Sequence, residues 1–233
     1  MPHDFVLLFD LDGTLVNTDE LHFAAFQTLL ADFDRTLTME TYRSRIMGAS
    51  NEAIMRELFP DQPIEAHARL ADRKEALFRS AVTTLEPTRG AIELLDWARR
   101  HDVRVGVVTN APRANAELML GGIGVLDRID ALVIGEELAR GKPDPLPYLT
   151  GLERLGGTAR CALAFEDSLS GIRSARAAGI RTFGLRGALS DDALCDAGAD
   201  EVIDDFLSPV LLRTLARIES GDAFRSEPAD ASV

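Results

Sequence analysis

The chain has 233 residues, 46% hydrophobic and 27% charged, enough for one large or two modest globular domains with a true core. A formal net charge of −13 and a pI of about 4.7 give a surface that repels nucleic acid and anionic membranes, and no run approaches the ~18 apolar residues of a membrane helix. With only Cys161 and Cys195 there is no disulfide framework, and no basic leader followed by an apolar stretch is evident, so a reducing cytoplasm and a monomer without a large apolar patch are the expectations.

In chain order, the apolar run over residues 5–9 reads as a buried strand, and Asp10-Leu11-Asp12-Gly13-Thr14 follows at its end. Two carboxylates that close resist ionising together, so the pair asks for a cation, most simply a divalent metal. A capping Asp pair at a strand–turn junction is a rival reading. A calcium loop is another, although such a loop wants its glycine at the sixth position. Residues 16–86 contain no convincing strand. Helical spacing occurs instead over residues 21–33, 39–47, 51–59 (with Ser50 as N-cap) and 64–82. About 70 residues between one strand and the next exceed an ordinary crossover. The pattern predicts an all-helical insertion, residues 16–86, packed as a small domain on a core of residues 1–15 and 87–219.

Strand patterns then recur over residues 103–108, 131–134, 161–165, 180–185 and 201–203. Between them lie helical segments. Residues 112–120 stop at Gly121-Gly122. Leu146, Leu149, Leu152 and Leu155 run from Asp144-Pro145 to Gly156-Gly157, and residues 168–178 close on Gly179. The alternation predicts an α/β fold, a Rossmann-like doubly wound parallel sheet with helices on both faces. Ligands of such sheets sit beyond the carboxyl ends of the strands. Trp97, the phenylalanines and Cys161 read as core. Residues 220–233 are polar and aperiodic and read as a flexible tail.

Three further strand ends carry polar groups. Thr109-Asn110 closes the second strand and offers a hydroxyl and backbone N–H groups to phosphate oxygens. Lys142 lies in Gly141-Lys142-Pro143-Asp144-Pro145, where prolines stiffen the loop and aim the ammonium. So acidic a protein must supply local positive charge to hold a phosphate. Only Lys74 and Lys142 among 25 basic residues are lysines, and a lysine serves where a compact, flexible charge is needed. Glu166-Asp167-Ser168 follows a fourth strand, where acidic groups are costly unless they meet a cation; Mg²⁺ suits such oxygen ligands, and Ser168 caps the next helix.

Together these four pieces resemble the haloacid dehalogenase-like phosphohydrolase superfamily, whose motifs occur in this order over residues 5 to 186. The resemblance implies that Asp10 is the nucleophile that forms an aspartyl-phosphate. It makes Asp12 the general acid and then base, and Thr109 and Asn110 the phosphate contacts. Lys142 would neutralise charge between nucleophile and phosphoryl group. Asp167, Glu166, a carboxylate oxygen of Asp10 and the backbone carbonyl of Asp12 would hold Mg²⁺. Dehalogenases and phosphonate hydrolases of the superfamily lack the second Asp, so Asp12 points to phosphate esters. Membrane-spanning P-type ATPases are disfavoured too.

In the helical insertion, His22 and Lys74 match the β-phosphoglucomutase branch, and residues 46–51 resemble a substrate-specificity loop. The Arg that grips a second phosphate in those mutases is replaced by Asn51, and Thr14 likewise favours hydrolysis. Each of these three residues also has a plainer reading: His22 as a half-exposed helix residue, Lys74 as part of a solvated face, Asn51 as the first residue of a capped helix. The expectation is a Mg²⁺-dependent phosphatase for a small phosphorylated metabolite, a sugar or polyol phosphate. A sugar phosphomutase is the alternative, and a non-catalytic binding protein a more distant one.

Overall fold

The computed structural model of the protein describes residues 4–221. Six strands form one parallel sheet: β1 (Val6–Phe9), β2 (Arg104–Thr109), β3 (Ala131–Ile134), β4 (Ala162–Glu166), β5 (Arg181–Leu185) and β6 (Glu201–Ile203). Their order is β3-β2-β1-β4-β5-β6. Central strands are buried on both faces, so they read as unbroken apolar runs. In β1, Leu7 and Phe9 point into one core with α5 (Ala91–Arg100), α6 (Arg113–Gly122) and α10 (Pro209–Glu219). Val6 and Leu8 point into the other with α7 (Leu146–Leu155) and α8 (Leu169–Ala177). A seven-residue α9 (Asp191–Ala197) packs beside α8.

The chain moves outward from β1 to β2 and β3, then crosses back to place β4 on the other side of β1. That reversal opens a crevice at the carboxyl ends of β1 and β4. Phe9 is in register with Val107 of β2 and Phe165 of β4. The three polar strand ends, Asp10, Thr109 and Glu166-Asp167, therefore lie side by side. Beneath them the Phe9 and Phe165 rings stack at 4.8 Å, with Phe183 and Phe206 against Phe165, a rigid apolar floor.

Between β1 and β2 the chain is helical: α1 (Asp19–Ala31), α2 (Met39–Thr41), α3 (Asn51–Leu58) and α4 (Ile64–Ala81). These helices share a core of their own, centred on Phe26, Leu29, Tyr42, Ile46, Met55 and Phe59. Ser50 caps α3 through the Ala53 N–H and Ser168 caps α8 through the Gly171 N–H, as the sequence predicts.

Two local expectations are corrected, the regular helix over residues 39–47 and the core position of Trp97, and two others gain detail. The helix expected over residues 39–47 becomes a widened π turn at Tyr42–Ile46, where the Met47 N–H reaches the Tyr42 carbonyl. It sends Tyr42 and Ile46 inward and leaves Arg43 and Arg45 outside. Helix α6 ends at Gly122, as the glycine pair leads one to expect, and the left-handed turn beyond it is made by Gly124, with φ +71°. Leu149 is 46% exposed, because a strict three-residue repeat drifts off a 3.6-residue face, and the buried stripe is Tyr148, Gly151, Leu152 and Leu155. Trp97 is half-buried, with its indole N–H on Glu219 Oε1 at 2.5 Å. Of the expected tail only residues 220 and 221 lie within the described chain.

Candidate active site

Asp10 leaves β1 with its N–H on the Phe165 carbonyl of β4, which fixes its carboxylate in the crevice. The chain then turns at Gly13, whose φ of +81° L-residues avoid and whose absent side chain leaves room for the Asp167 carboxylate. At β4's end Glu166 is fully buried and Asp167 nearly so. Gly171 on α8 is the matching concession, since a Cβ there would strike the Glu166 carboxylate. Oxygens of Asp10, Glu166 and Asp167 lie within 4.8 Å of one another.

Lys142 comes from the loop before α7. Its Nζ donates to Asp10 Oδ1 at 2.5 Å and to Glu166 Oε1 at 2.6 Å. Tyr148 OH also donates to Glu166 Oε1, at 2.7 Å, and Ser168 Oγ to Oε2 at 3.2 Å. Burial works against the Lys142 charge, but Asp10 and Glu166 raise its pKa above the ordinary lysine value. Burial drives Asp10 well above the usual carboxylate range, with Lys142 pulling the other way. Asp167 is likewise driven up by burial, then by the charges of Asp10 and Glu166. Three carboxylates against one ammonium leave a formal charge of −2 in a buried, all-oxygen donor set. Those residues fit a hard divalent cation such as Mg²⁺. Glu166 has both oxygens engaged by protein donors, so its share in holding a cation is indirect beside Asp10 and Asp167.

Asp12 is set apart from this cluster. Its Oδ1 accepts from Thr18 Oγ1 at 2.6 Å and meets His22 Nε2 at 2.9 Å. Burial tends to raise it, yet the hydrogen bond and charge of His22, helped by Thr18, hold it below its ordinary value. His22 stacks flat on Phe78 at 4.0 Å, and its Nδ1 meets Lys74 Nζ at 2.7 Å. Lys74 is 3% exposed, not on a solvated face. Burial depresses its pKa while Glu75, 3.0 Å away, opposes the shift. The chain of contacts continues where sequence reasoning did not follow it: Asn115 Nδ2 donates to Glu75 Oε2 at 2.6 Å and Arg79 NH1 to Asn115 Oδ1 at 2.8 Å. Asn115 on α6 is fully buried, and a polar residue at the core-facing position of that helix is the signal that could have found it.

Thr109 Oγ1 accepts the Ala111 N–H at 2.9 Å, which leaves its own hydrogen free to donate into the pocket. The Asn110 side chain is engaged by protein partners. Its Nδ2 donates to the carbonyls of Gly48 and Lys142 at 3.1 and 3.3 Å, and its Oδ1 accepts the Lys142 N–H at 3.1 Å. Both amide hydrogens are taken, so the side chain positions Lys142 and the Gly48 loop and has no donor left for a phosphate. Ser170 Oγ donates to the same Gly48 carbonyl at 2.6 Å. Asp10, Asp12, Thr109, Asn110, Lys142 and Asp167 line one small pocket of about 80 Å³, together with His22 of α1, Asn51 of α3 and Lys74 of α4. Glu166 lies beneath it.

The family model for haloacid dehalogenase-like hydrolases matches residues 7–185, and the chain belongs to that family. It is 31% identical to a phosphorylated carbohydrates phosphatase of Thermotoga maritima, over 83% of this chain and 91% of the relative. Identity is also 31% to a phosphoglycolate phosphatase of Rhodospirillum rubrum, over 87% and 88%. Among solved structures, CbbY of Rhodobacter sphaeroides in complex with xylulose-(1,5)-bisphosphate superposes with a TM-score of 0.75 at 28% identity, over 86% of this chain and 94% of that one. No helix among the described residues is long and apolar enough to cross a membrane.

Proposed function

We propose that the protein is a Mg²⁺-dependent phosphatase that hydrolyses a small phosphorylated metabolite, a sugar or polyol phosphate, through a phosphoryl group carried on Asp10. The observation that carries this reading is the division of the two carboxylates. Asp10 lies in the −2 cluster with Lys142, whereas Asp12 faces the insertion through His22 and Thr18. One carboxylate is placed for attack and the other for proton transfer.

Asp10 attacks phosphorus and the bond to the ester oxygen breaks. Asp12 rests ionised; the docking dianionic ester raises its proton affinity, so it takes up a proton from solvent as the substrate binds and gives that proton to the leaving alkoxide. Asp12 then accepts a proton from water, which attacks the phosphoryl group on Asp10 and releases inorganic phosphate. Lys142 offsets charge as it builds on the phosphoryl oxygens, and Thr109 donates to one of them. Mg²⁺, held by Asp10, Asp167 and the Asp12 carbonyl with Glu166 behind, would add charge neutralisation between nucleophile and phosphate.

Residues 16–86 act as a cap on this site. Their separate core and the clasp of Gly48 on Asn110 and Ser170 support a unit that closes over the substrate and excludes water. We keep a monomer in the reducing cytoplasm as the expectation, and the two free thiols suit that compartment. The test is phosphate release from a panel of monoesters with and without Mg²⁺. Release that needs Mg²⁺ and vanishes in Asp10→Asn supports the reading. No release from any ester refutes it, and isomerised sugar phosphate without free phosphate assigns the phosphomutase alternative.

A further inference from the structure

The pocket at Asp10 has room for a phosphoryl group and little more. A cavity of about 480 Å³ lies next to it, between helices α3 and α4 on one side and Pro112 and Glu136 of the sheet domain on the other. Its volume falls in the range of about 300–1,000 Å³ typical of small-molecule sites, and the 80 Å³ at Asp10 does not. Asn51 and Glu75 line both spaces, so the two adjoin where a leaving group would emerge from the phosphate pocket.

The walls define the chemistry of an occupant. Asp72, Glu75 and Glu136 face one another closely enough that burial and then the charges of Glu75 and Asp72 push Glu136 up from its ordinary value. Among the described residues neither Asp72 nor Glu136 is in an ion pair, Arg56 is paired with Glu52, and Arg79 gives one donor to the Asn115 amide, so the lining holds four carboxylates, Glu52, Asp72, Glu75 and Glu136, against the two guanidinium groups of Arg56 and Arg79. Unpaired carboxylates accept hydrogen bonds from hydroxyl groups and repel a second phosphate. Ile64, Ala68 and Pro112 add apolar surface for the C–H face of a sugar ring.

On the phosphatase reading, on which this rests, we infer that the second cavity is the leaving-group subsite. The substrate is a phosphate monoester of a polyhydroxylated alcohol larger than one sugar ring, with its phosphate at Asp10 and its far end against α4. Ala68 is exposed on α4 and touches none of the catalytic groups, so Ala68→Trp fills the cavity and spares the chemistry. The experiment compares kcat/KM, in Mg²⁺, for trehalose 6-phosphate and for glycerol 3-phosphate. The wild type favours the disaccharide ester by about tenfold or more; Ala68→Trp removes that preference and leaves glycerol 3-phosphate within about twofold.

Glu136→Lys, an exposed change on the opposite wall, produces the same selective loss should the Trp variant melt early. Equal wild-type values for the two esters would overturn the inference. So would variants that melt with the wild type yet lower both esters or neither. No phosphate from either ester or from p-nitrophenyl phosphate refutes the phosphatase reading itself, a separate result.

Discussion

Asp167→Asn tests whether the acidic cluster is built for a cation, because the substitution keeps the shape and removes one charge. Ionised carboxylates with oxygens within 4.8 Å of one another repel by at least about 3 kcal/mol at an effective dielectric near 20. Asp167 faces two such neighbours, and Lys142 offsets part of the repulsion. The wild type escapes some of the rest by binding a proton, so the relief in the metal-free variant is about 1–2 kcal/mol. For a chain of this size that raises Tm by about 2–8 °C. The sign with pH follows from the raised folded-state pKa. Well below 3.8 Asp167 is neutral in both folded and unfolded chains, and the substitution changes little. As pH rises through the higher folded value, the wild type loses stability relative to the variant, and the gap then stays constant. Calorimetric melts in EDTA between pH 4 and 8 measure this gap. A Mg²⁺ titration of the melts should show affinity at least about tenfold weaker in the variant. A variant that is less stable without metal across this range, or that keeps the wild-type Mg²⁺ response, would refute the reasoning.

Other consequences follow from single contacts. Lys142→Met leaves Asp10 and Glu166 buried without their counter-charge, and urea unfolding in EDTA should register a loss of about 3–5 kcal/mol with no measurable turnover. His22→Ala removes the group that holds Asp12. It should lower kcat/KM about 10–100-fold for a sugar phosphate and much less for p-nitrophenyl phosphate, whose leaving group departs without protonation. Asn110→Ala should lower kcat about tenfold through a looser Lys142, yet leave inhibition by inorganic phosphate within about threefold; a large loss of phosphate affinity would make Asn110 a direct ligand.

The strand–helix alternation and the strand-end motifs were legible because each rests on local chemistry: apolar runs buried on both faces, a glycine at Gly13, a charge held by prolines at Lys142. Sequence could not show which partner a long polar side chain meets. Lys74 in Asp72-Arg73-Lys74-Glu75 is open between a site lysine and a solvated face, and the packing of α4 on α1 and α6 decides it by turning the ammonium inward to His22 and Glu75. Asn110 stands beside a phosphate-binding threonine in the chain, but its amide is spent on a loop 32 residues away. Leu149 shares its spacing with core leucines and still faces outward, since drift around a helix decides burial and a count of three does not.

The central claim is that Asp10 carries the phosphoryl group. Borohydride reduces an aspartyl-phosphate to homoserine, so the protein is quenched with it during turnover in Mg²⁺ and the peptide containing Asp10 is read by mass spectrometry. Homoserine at position 10, present only when both substrate and Mg²⁺ are added, is the predicted result. Steady phosphate release with Asp10 unmodified, or with the label on another residue, would contradict it.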